Sequence, residues 1–255
     1  MPTVLAISPH LDDAVFSAGG TLARLAAEGW EVVVLTVFTG SVADPTGFAL
    51  ACQLDKGLSP EVDYMALRRA EDARACAALG ARAEWLPFRE APHRGYRSAP
   101  ELFANVREDD RIDAPVAEAL RKAVARWQPA MILAPQAVGG HVDHVQVVRA
   151  IDQSHPSAPV LWWTDWPYAA RPHSHPARPF AVRMEALPEQ AVAIDPAPRL
   201  AACAAYATQL GFQFGGAAGL ERALAEAGTV ERFRVERDLA KAWPGVGGAS
   251  PDGAR

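Results

Sequence analysis

Short apolar runs alternate with longer segments of helical length through the first half of the chain. The runs over residues 3–8 and 31–38 are bounded by turn or polar residues, as buried strands are. Between them, residues 14–28 have the length of a helix and end at Gly29, a residue that suits the left-handed position after a helix. A helix that connects two apolar strands indicates parallel pairing, with both faces of the sheet covered.

The same alternation recurs further along the chain. It predicts helices over 63–79 and 115–127, and strands over 84–88, 131–134 and 160–164. We therefore expect an α/β fold, a Rossmann-like, doubly wound and mostly parallel sheet with helices on both of its faces.

The connections between these elements are less regular. Residues 39–62 and 89–114 contain glycine and proline and show no clear periodicity, and long loops of this kind are often functional lids. No internal repeat and no strong domain boundary stands out. We expect a single domain over 1–243 and a flexible tail over 244–255, where small and polar residues prevail.

The composition is that of a globular protein. The 255 residues include 25 Lys+Arg and 30 Asp+Glu, a formal net charge of −5 without a long block of like charge. Neither nucleic acid nor an anionic membrane is therefore an expected partner. No apolar stretch approaches the roughly 18 residues of a membrane span, and the N-terminus lacks the pattern of a signal peptide. A cytoplasmic protein is expected, and whether it forms a homo-oligomer stays open.

A first polar cluster follows the first predicted strand and precedes a helix. Residues 8–13 read SPHLDD, so that His10, Asp12 and Asp13 lie at the carboxyl end of the strand, where ligands bind in open α/β sheets. An imidazole and two carboxylates supply ligands suited to zinc and a spare base. The alternative is that one aspartate caps the helix and His10 is a surface turn residue.

A second polar cluster follows the strand predicted over 131–134. Residues 139–144 read GGHVDH, and His141 and His144, three residues apart, can face the same side of a first helical turn. Asp143 between them can accept a ring N–H. Its alternative interpretation is a capping aspartate between two solvated histidines. Two such clusters at the same edge of one sheet favour a metal site over both alternatives.

A catalytic zinc needs about three protein ligands and an open position for water. The two clusters offer more candidates than that, so some remain for acid–base chemistry. One assignment uses His10, Asp13 and His144 as ligands. It leaves Asp12, His141 and Asp143 unbound. A hydrolytic mechanism follows, in which a carboxylate takes a proton from a metal-activated water and a protonated His141, its pKa raised by Asp143, stabilises the oxyanion.

At these residues the chain resembles the PIG-L/LmbE-like zinc-dependent N-deacetylases, whose usual signatures are (P/A)HPDDE and a later HxDH. Here they read PHLDDA and HVDH. Residues 19–23 (GGTLA), residues 36–40 and an R-x-x-E pattern within 68–80 add to the likeness, which covers roughly the first 150 residues. Leu11 replaces the usual proline and Ala14 the usual glutamate, and neither position is a proposed ligand.

The resemblance implies a role for each matching residue. The zinc ligands would be His10, Asp13 and His144, and the general base would be Asp12. His141 would stabilise the oxyanion and protonate the leaving amine, with Asp143 as its orienting partner.

Two further residues match positions that contact substrate in relatives. Arg68 aligns with an arginine that helps to hold the substrate, although a surface arginine paired with Asp72 is the alternative. Glu90 lies near a position where relatives carry a substrate-contacting aspartate.

The implied function is zinc-dependent removal of the N-acetyl group from an N-acetylglucosamine-type conjugate, a small-molecule substrate. The nature of the attached group, and whether zinc or iron is used, stay open. Other hypotheses are a different metal-dependent hydrolase such as a phosphoesterase, and a catalytically silent Rossmann-like binding module, although no GxGxxG follows the first strand.

Two aromatic or histidine clusters remain. Trp162, Trp163, Trp166 and Tyr168 form either a wall of the substrate site or core packing at a strand end. The segment over 171–176 contains two histidines that are more typical of solvated residues than of a second metal site.

Overall fold

A computed structural model describes residues 1–170, 177–236 and 239–247. Its seven strands are β1 (Thr3–Ser8), β2 (Glu31–Thr36), β3 (Arg82–Trp85), β4 (Met131–Pro135), β5 (Val160–Trp163), β6 (Glu189–Ala193) and β7 (Val230–Val235). They form one sheet in the order β3-β2-β1-β4-β5-β7-β6. The first five strands run parallel, and β7 pairs antiparallel with β5 and with β6.

Helices surround this sheet. In the described ranges they are α1 (Asp13–Ala27), α2 (Gly47–Leu54), α3 (Tyr64–Ala78), α4 (Ala99–Leu102), α5 (Asp113–Trp127), α6 (Val142–Ser154), α7 (Ala181–Glu185), α8 (Pro196–Ala204), α9 (Ala207–Phe214) and α10 (Ala217–Ala227). Within the same ranges, four 3-10 turns cover Ala91–Arg94, Tyr168–Ala170, Leu239–Lys241 and Pro244–Gly247.

Each face of the sheet packs against its own set of helices. Side chains alternate along a strand, so Val4 and Ala6 of β1 join a core with α1, α3 and α8. Leu5 and Ile7 point to the other face, into a second core with α5 and α6. The predicted α/β fold, with a mostly parallel sheet covered on both faces, is confirmed.

The strand order reverses beside β1. The chain goes from β1 outward to β2 and β3, and then returns to place β4 on the other side of β1. In an open α/β sheet this arrangement leaves a crevice at the carboxyl ends of the two central strands. Both polar clusters of the sequence begin there, after β1 and after β4.

The element boundaries differ from the sequence prediction in several places. β3 begins at Arg82 and ends at Trp85, and β2 ends at Thr36, after which the Phe38 amide donates to the Pro9 carbonyl. The aperiodic stretches over 39–62 and 89–114 contain α2, α4 and a 3-10 turn. The sequence did not predict β6, β7 or the helices between β5 and β7.

The C-terminal segment makes contact with α1 before the described residues end. Residues 244–247 form a 3-10 turn, and Arg24 Nη2 donates to the Gly245 carbonyl oxygen at 2.9 Å. The predicted tail over 244–255 otherwise lies outside the described residues, as do the two histidines within 171–176. Among the helices that the structure describes, none is long and apolar enough to cross a membrane.

Candidate metal centre and active site

The two polar clusters meet at the crevice. His10 lies on the turn between β1 and α1, and His144 lies in the first turn of α6; the centroids of their rings are 5.2 Å apart. The Ser8 hydroxyl holds the first turn in shape, because it donates to the His10 carbonyl at 2.7 Å and accepts the Ala14 amide at 3.0 Å. Segments that are distant in sequence are thereby brought to one point.

The carboxylate of Asp13 lies between the two imidazoles. Its Oδ2 is 3.2 Å from His10 Nδ1 and 3.1 Å from His144 Nε2, and it also accepts the His10 backbone N–H at 2.8 Å. All three side chains are buried. Three ligand-type atoms therefore converge in a space that water reaches poorly.

A second carboxylate lies behind each imidazole. His10 Nε2 is 2.9 Å from Asp143 Oδ2, and His144 Nδ1 is 2.7 Å from Asp165 Oδ1. Asp165 is itself held by the Val138 amide, which donates to its Oδ2 at 2.9 Å. In metal sites the ligating histidine commonly donates its other ring N–H to such a carboxylate, which fixes the tautomer and the ring orientation.

These atoms fit a metal ion. His144 Nε2 is buried, and its 3.1 Å contact with Asp13 Oδ2 is not aligned as a hydrogen bond, so this nitrogen has no hydrogen-bond partner among the described residues. Tetrahedral ligand atoms at zinc bond lengths would be roughly 3.4 Å apart, close to the separations around Asp13 Oδ2. His10, His141 and His144 also offer ring nitrogens within 4.8 Å of one another. The site can therefore hold a divalent metal, with Asp13 or His141 as the third side chain.

The carboxylates keep protons on the two imidazoles when no metal competes. Burial alone would lower the pKa of His144, but Asp13 and Asp165 raise it to about 9. Burial likewise opposes protonation of His10, and the hydrogen bonds and charges of Asp13 and Asp143 raise its pKa well above the usual value. A metal bound to these nitrogens would displace such protons.

Asp12 lies at the N-cap position of α1 but its side chain makes no capping hydrogen bond. Its carboxylate is buried, with Oδ2 at 3.4 Å from Arg68 Nη2. Burial raises the pKa of Asp12 to about 7, with Arg68 lowering it and Asp13 raising it further. A carboxyl group of this kind can take and release a proton near neutral pH.

His141 lies at the N-cap position of α6. Its Nδ1 accepts the Asp143 backbone N–H at 3.2 Å, so it caps α6. Burial, together with the charge of His10, lowers the pKa of His141 to about 3. The low pKa favours a neutral ring, which carries its proton on Nε2 while Nδ1 accepts this hydrogen bond, and the role that the sequence implied for His141 stays a prediction.

The carboxylate of Asp143 also has partners other than those expected. Besides His10, it accepts the Ala91 N–H at 3.0 Å and pairs with Arg94 Nη2 at 2.8 Å. Burial would raise the pKa of Asp143, but Arg94 together with the hydrogen bond and charge of His10 outweighs burial and holds the pKa well below the usual range. The side chain of Asp143 thus bonds to His10, whereas its hydrogen bond to His141 is made by the backbone N–H.

Arg68 is buried rather than on the helix surface. Its Nη1 pairs with Glu90 Oε1 at 2.6 Å, and its Nη2 donates to the Leu11 carbonyl at 3.2 Å. Asp72, its alternative partner, binds Trp85 and Tyr206 instead. The alternative of a surface arginine paired with Asp72 is therefore wrong, and the substrate-binding roles of Arg68 and Glu90 stay predictions.

The aromatic cluster considered above is divided between the cores of the protein and the site, where Tyr168 is its member. Trp162 and Trp163 are fully buried in the two cores. The rings at the site belong to Phe103, which is 5.3 Å from the His141 ring, and Tyr168, which is 5.5 Å from the His144 ring. Phe103 is 40% exposed, so it lies at the rim.

Gly139 allows this close packing. Its φ of +101° is a conformation that other residues rarely adopt, and a Cβ atom there would lie 3.0 Å from the ring of Tyr168. The glycine thus lets the loop before His141 pass close to Tyr168.

Three of the residues around the site were missed by the sequence analysis: Asp165, Arg94 and Phe103. Asp165 follows β5, so its place at the carboxyl end of a predicted strand was the one available signal. Arg94 and Phe103 lie in the aperiodic stretch over 89–114, where no pattern marked them.

Comparison with known proteins gives consistent matches. A family model described as PIG-L, GlcNAc-PI de-N-acetylase, matches residues 5–155. The 2'-N-acetylparomamine deacetylase of Streptomyces fradiae is 37% identical over 171 residues, which cover 66% of this chain and 58% of that protein. The 1D-myo-inositol 2-acetamido-2-deoxy-alpha-D-glucopyranoside deacetylase of Rhodococcus erythropolis is 32% identical over 180 residues, covering 63% and 58%. The chain thus matches less than two thirds of the length of these relatives.

Among solved structures, the zinc inhibited form of teicoplanin deacetylase Orf2 superposes with a TM-score of 0.75 and 27% sequence identity. The match covers 92% of this chain and 98% of that one. The similarity therefore extends through the C-terminal region, where the family model makes no match.

Proposed function

The chain belongs to the PIG-L family, and on this premise we propose that it is a zinc-dependent hydrolase that removes the N-acetyl group from an N-acetylglucosamine-type sugar conjugate. Relatives from two organisms are named as deacetylases of such sugars, which supports both the reaction and the substrate class. A neighbouring deacetylase structure whose name includes zinc supports the choice of metal.

One observation carries the proposal. Asp13 Oδ2 lies within 3.2 Å of a nitrogen of His10 and of His144, and each of these rings has a carboxylate on its other nitrogen. That arrangement favours His10, Asp13 and His144 as the ligand set. His141 then remains free for substrate, because its Nδ1 already accepts the Asp143 amide.

When bound at this site, zinc supplies Lewis acidity for the acetamide carbonyl and lowers the pKa of water toward about 7. The side chains of the chain itself carry out the proton transfers. Asp12, at 3.4 Å from Arg68, accepts the proton of the attacking water. It then holds that proton for the nitrogen that leaves as an amine, so no protonated His141 is needed.

His141 has the form of a hydrogen-bond donor. With Nδ1 as an acceptor, the neutral ring presents Nε2–H, and a neutral donor can stabilise the negative charge that develops on the carbonyl oxygen. The ring of Phe103 lies 5.3 Å from this imidazole, edge-on to it. Asp143 positions His10 rather than taking part in proton transfer.

A phosphoesterase with two metals has less support. In the described ranges, one group of histidine, cysteine and acidic side chains is arranged to hold a metal, and the carboxylates beside it already serve as partners of the imidazoles.

Metal analysis combined with an acetate-release screen tests the proposal. We expect about one zinc per chain and acetate release from at least one conjugate in a panel that includes methyl N-acetylglucosaminide, N-acetylglucosaminyl-inositol and N-acetylparomamine. Removal of the metal with a chelator should stop the release, and added zinc should restore it. Full metal content without acetate from any conjugate would contradict the proposed reaction.

A further inference from the structure

Lys56 is one of three lysines in the chain and lies just after α2. Its side chain is half-buried, and its Nζ donates to the Cys52 carbonyl at 2.9 Å. Two aromatic rings flank the ammonium group, with Nζ 5.5 Å from the centroid of Tyr64 and 5.1 Å from that of Phe212. Phe212 is 66% exposed, so the ammonium group of Lys56 lies close to the protein surface.

No carboxylate forms an ion pair with Lys56 in the part of the chain that the structure describes. Cation–π contacts and one backbone carbonyl stabilise the charge only in part, because none of these groups carries a negative charge. Burial, assisted by the charge of Arg68, lowers the pKa of Lys56. The ammonium group is thus a partly desolvated cation without a counterion.

The loop that carries Lys56 is held in a defined shape. Gln53, itself buried, donates through Nε2 to the Ser59 carbonyl at 2.6 Å and to the Val62 carbonyl at 3.1 Å. These bonds join the end of α2 to the segment that leads into α3. Lys56 lies between the two joined ends, so the fixed loop determines the position of its backbone.

The same cluster leads directly to the general base. The ring of Tyr64 that contacts Lys56 also lies 5.6 Å from the guanidinium carbon of Arg68. Arg68 in turn contacts Asp12 and Glu90. The contacts of Tyr64 and Arg68 thus connect the ammonium group of Lys56 to the active site.

The carboxylates of Glu90 and Asp12 do not neutralise Lys56, because both pair with Arg68. Glu90 Oε1 pairs with Arg68 at 2.6 Å and Asp12 Oδ2 lies at 3.4 Å from it. Arg68 therefore has two anions, whereas Lys56 has none. An anion that enters with the substrate would complete the set of charges at this rim.

We propose that Lys56 is a specificity-determining residue that binds an anionic group, a phosphate or a carboxylate, on the part of the conjugate beyond the N-acetylated sugar. The proposal rests on the proposed function for the identity of that sugar. It predicts that the enzyme prefers charged conjugates to neutral ones, through KM rather than kcat.

The test compares three conjugates that share the N-acetylglucosamine unit: the neutral methyl glycoside, the 1-phosphate and the carboxymethyl glycoside. We expect the KM of the phosphate, the carboxylate or both to be about tenfold or more below that of the methyl glycoside, as a hydrogen bond to a charged group gives. The charged substrate with the lower KM identifies the anion.

Four variants separate a binding role from a structural one. Lys56→Met and Lys56→Gln should bring the KM of the preferred charged conjugate close to that of the methyl glycoside. Lys56→Arg should keep most of the preference for the charged conjugate. The matched control is Lys122→Met on α5, an exposed lysine that pairs with Glu118 at 3.5 Å, and it should keep the wild-type ratio. Circular dichroism verifies that each variant folds.

Calorimetric binding of the same three compounds to metal-free protein gives a second readout that needs no turnover. Acetate release with equal KM values for charged and neutral conjugates would overturn the role of Lys56 and leave the deacetylase proposal intact. Absence of acetate from every conjugate would overturn the deacetylase proposal. In that case tighter binding of a charged compound, lost in Lys56→Met, supports the role of Lys56, and equal binding overturns it.

Discussion

The parallel part of the sheet and the C-terminal region contribute differently to this molecule. All candidate ligands and proton-transfer residues lie between His10 and His144, inside the segment that the family model matches. The C-terminal region, which builds the antiparallel strands β6 and β7, contributes none of them. It instead binds the backbone of α1 and the side chains of α3.

The contacts on α1 show what the second region does. In a regular α-helix the N–H of residue 20 would donate to the carbonyl of residue 16. Here Glu231 of β7 accepts the N–H groups of Gly20 and Thr21 at 2.9 and 2.8 Å, and Arg199 Nε donates to the Phe16 carbonyl at 3.1 Å. The two charged side chains are buried and lie 3.5 Å apart.

The contacts on α3 follow the same principle. Thr208 donates through Oγ1 to Glu71 Oε2 at 2.7 Å, and Tyr206 donates to Asp72 Oδ1 at 2.6 Å. Glu71 and Asp72 are on the helix that carries Arg68. The comparison teaches that one region holds the candidate reacting groups while the other binds the helices α1 and α3 beside them. We expect changes in the first to affect metal and turnover, and changes in the second to affect stability.

The largest effect is expected for His144→Ala. Its removal deletes one of three proposed ligands, so metal content should fall to near zero and turnover to background. Elemental analysis and acetate release measure both. The control is His155→Asn, an exposed histidine just after the same helix, which should keep both values. Full metal content in His144→Ala would remove this residue from the ligand set.

Asp12→Asn should separate chemistry from metal binding. The amide cannot accept a proton, so turnover should fall by roughly 10²–10⁴, while metal content stays at the wild-type level. The exposed Asp44→Asn is the matched control. Loss of metal parallel to the loss of turnover would mean that Asp12 is a ligand and not the base.

Asp165→Asn tests the carboxylate that follows β5 and bonds to His144. The amide keeps the shape but removes the charge behind His144, and metal affinity should fall by roughly 10–100-fold. A competition titration against a chelator measures it. Asp152→Asn, on the exposed side of α6, should leave the affinity unchanged. Unchanged affinity in Asp165→Asn would contradict the orienting role.

The smallest effect on chemistry is expected for Glu231→Gln in the second region. The amide has one acceptor oxygen, so one of the two N–H groups of α1 loses its partner and the free energy of unfolding should fall by about 1–3 kcal/mol. Denaturant unfolding measures this, with Glu226→Gln on α10 as the exposed control. Metal bound per folded molecule should not change, and its loss at full stability would show that the second region takes part in the site itself.

The sequence predicted the first region well and the second poorly, for physical reasons. β1 is a continuous buried apolar run, and polar residues at its carboxyl end mark the crevice. β6 is an edge strand of small and polar residues in which Val192 alone is fully buried. In β7, the buried face begins with Glu231, so a charge stands where the alternation requires an apolar residue.

The site shows the same division between local and tertiary information. His10, Asp13 and His144 follow from motifs adjacent to strands. The partner of the Asp143 carboxylate could not be predicted from these motifs. Asp143 pairs with His10 and not with His141 because of how the turn after β1 packs against α6. Arg94, which holds Asp143 at 2.8 Å, lies in a stretch without periodicity and is found only in three dimensions.

The junction at Gly20 limits how relatives can be recombined. A Cβ atom on Gly20 would lie 2.3 Å from Ile194 Cδ1, and Glu231 binds the amide of the same glycine. The C-terminal segment therefore cannot be replaced by that of a relative without regard to its contacts with α1. A chimera that joins a foreign C-terminal segment after residue 155 must supply a side chain that packs against this glycine and a carboxylate that accepts its N–H. Without both, we expect the foreign segment not to pack against α1.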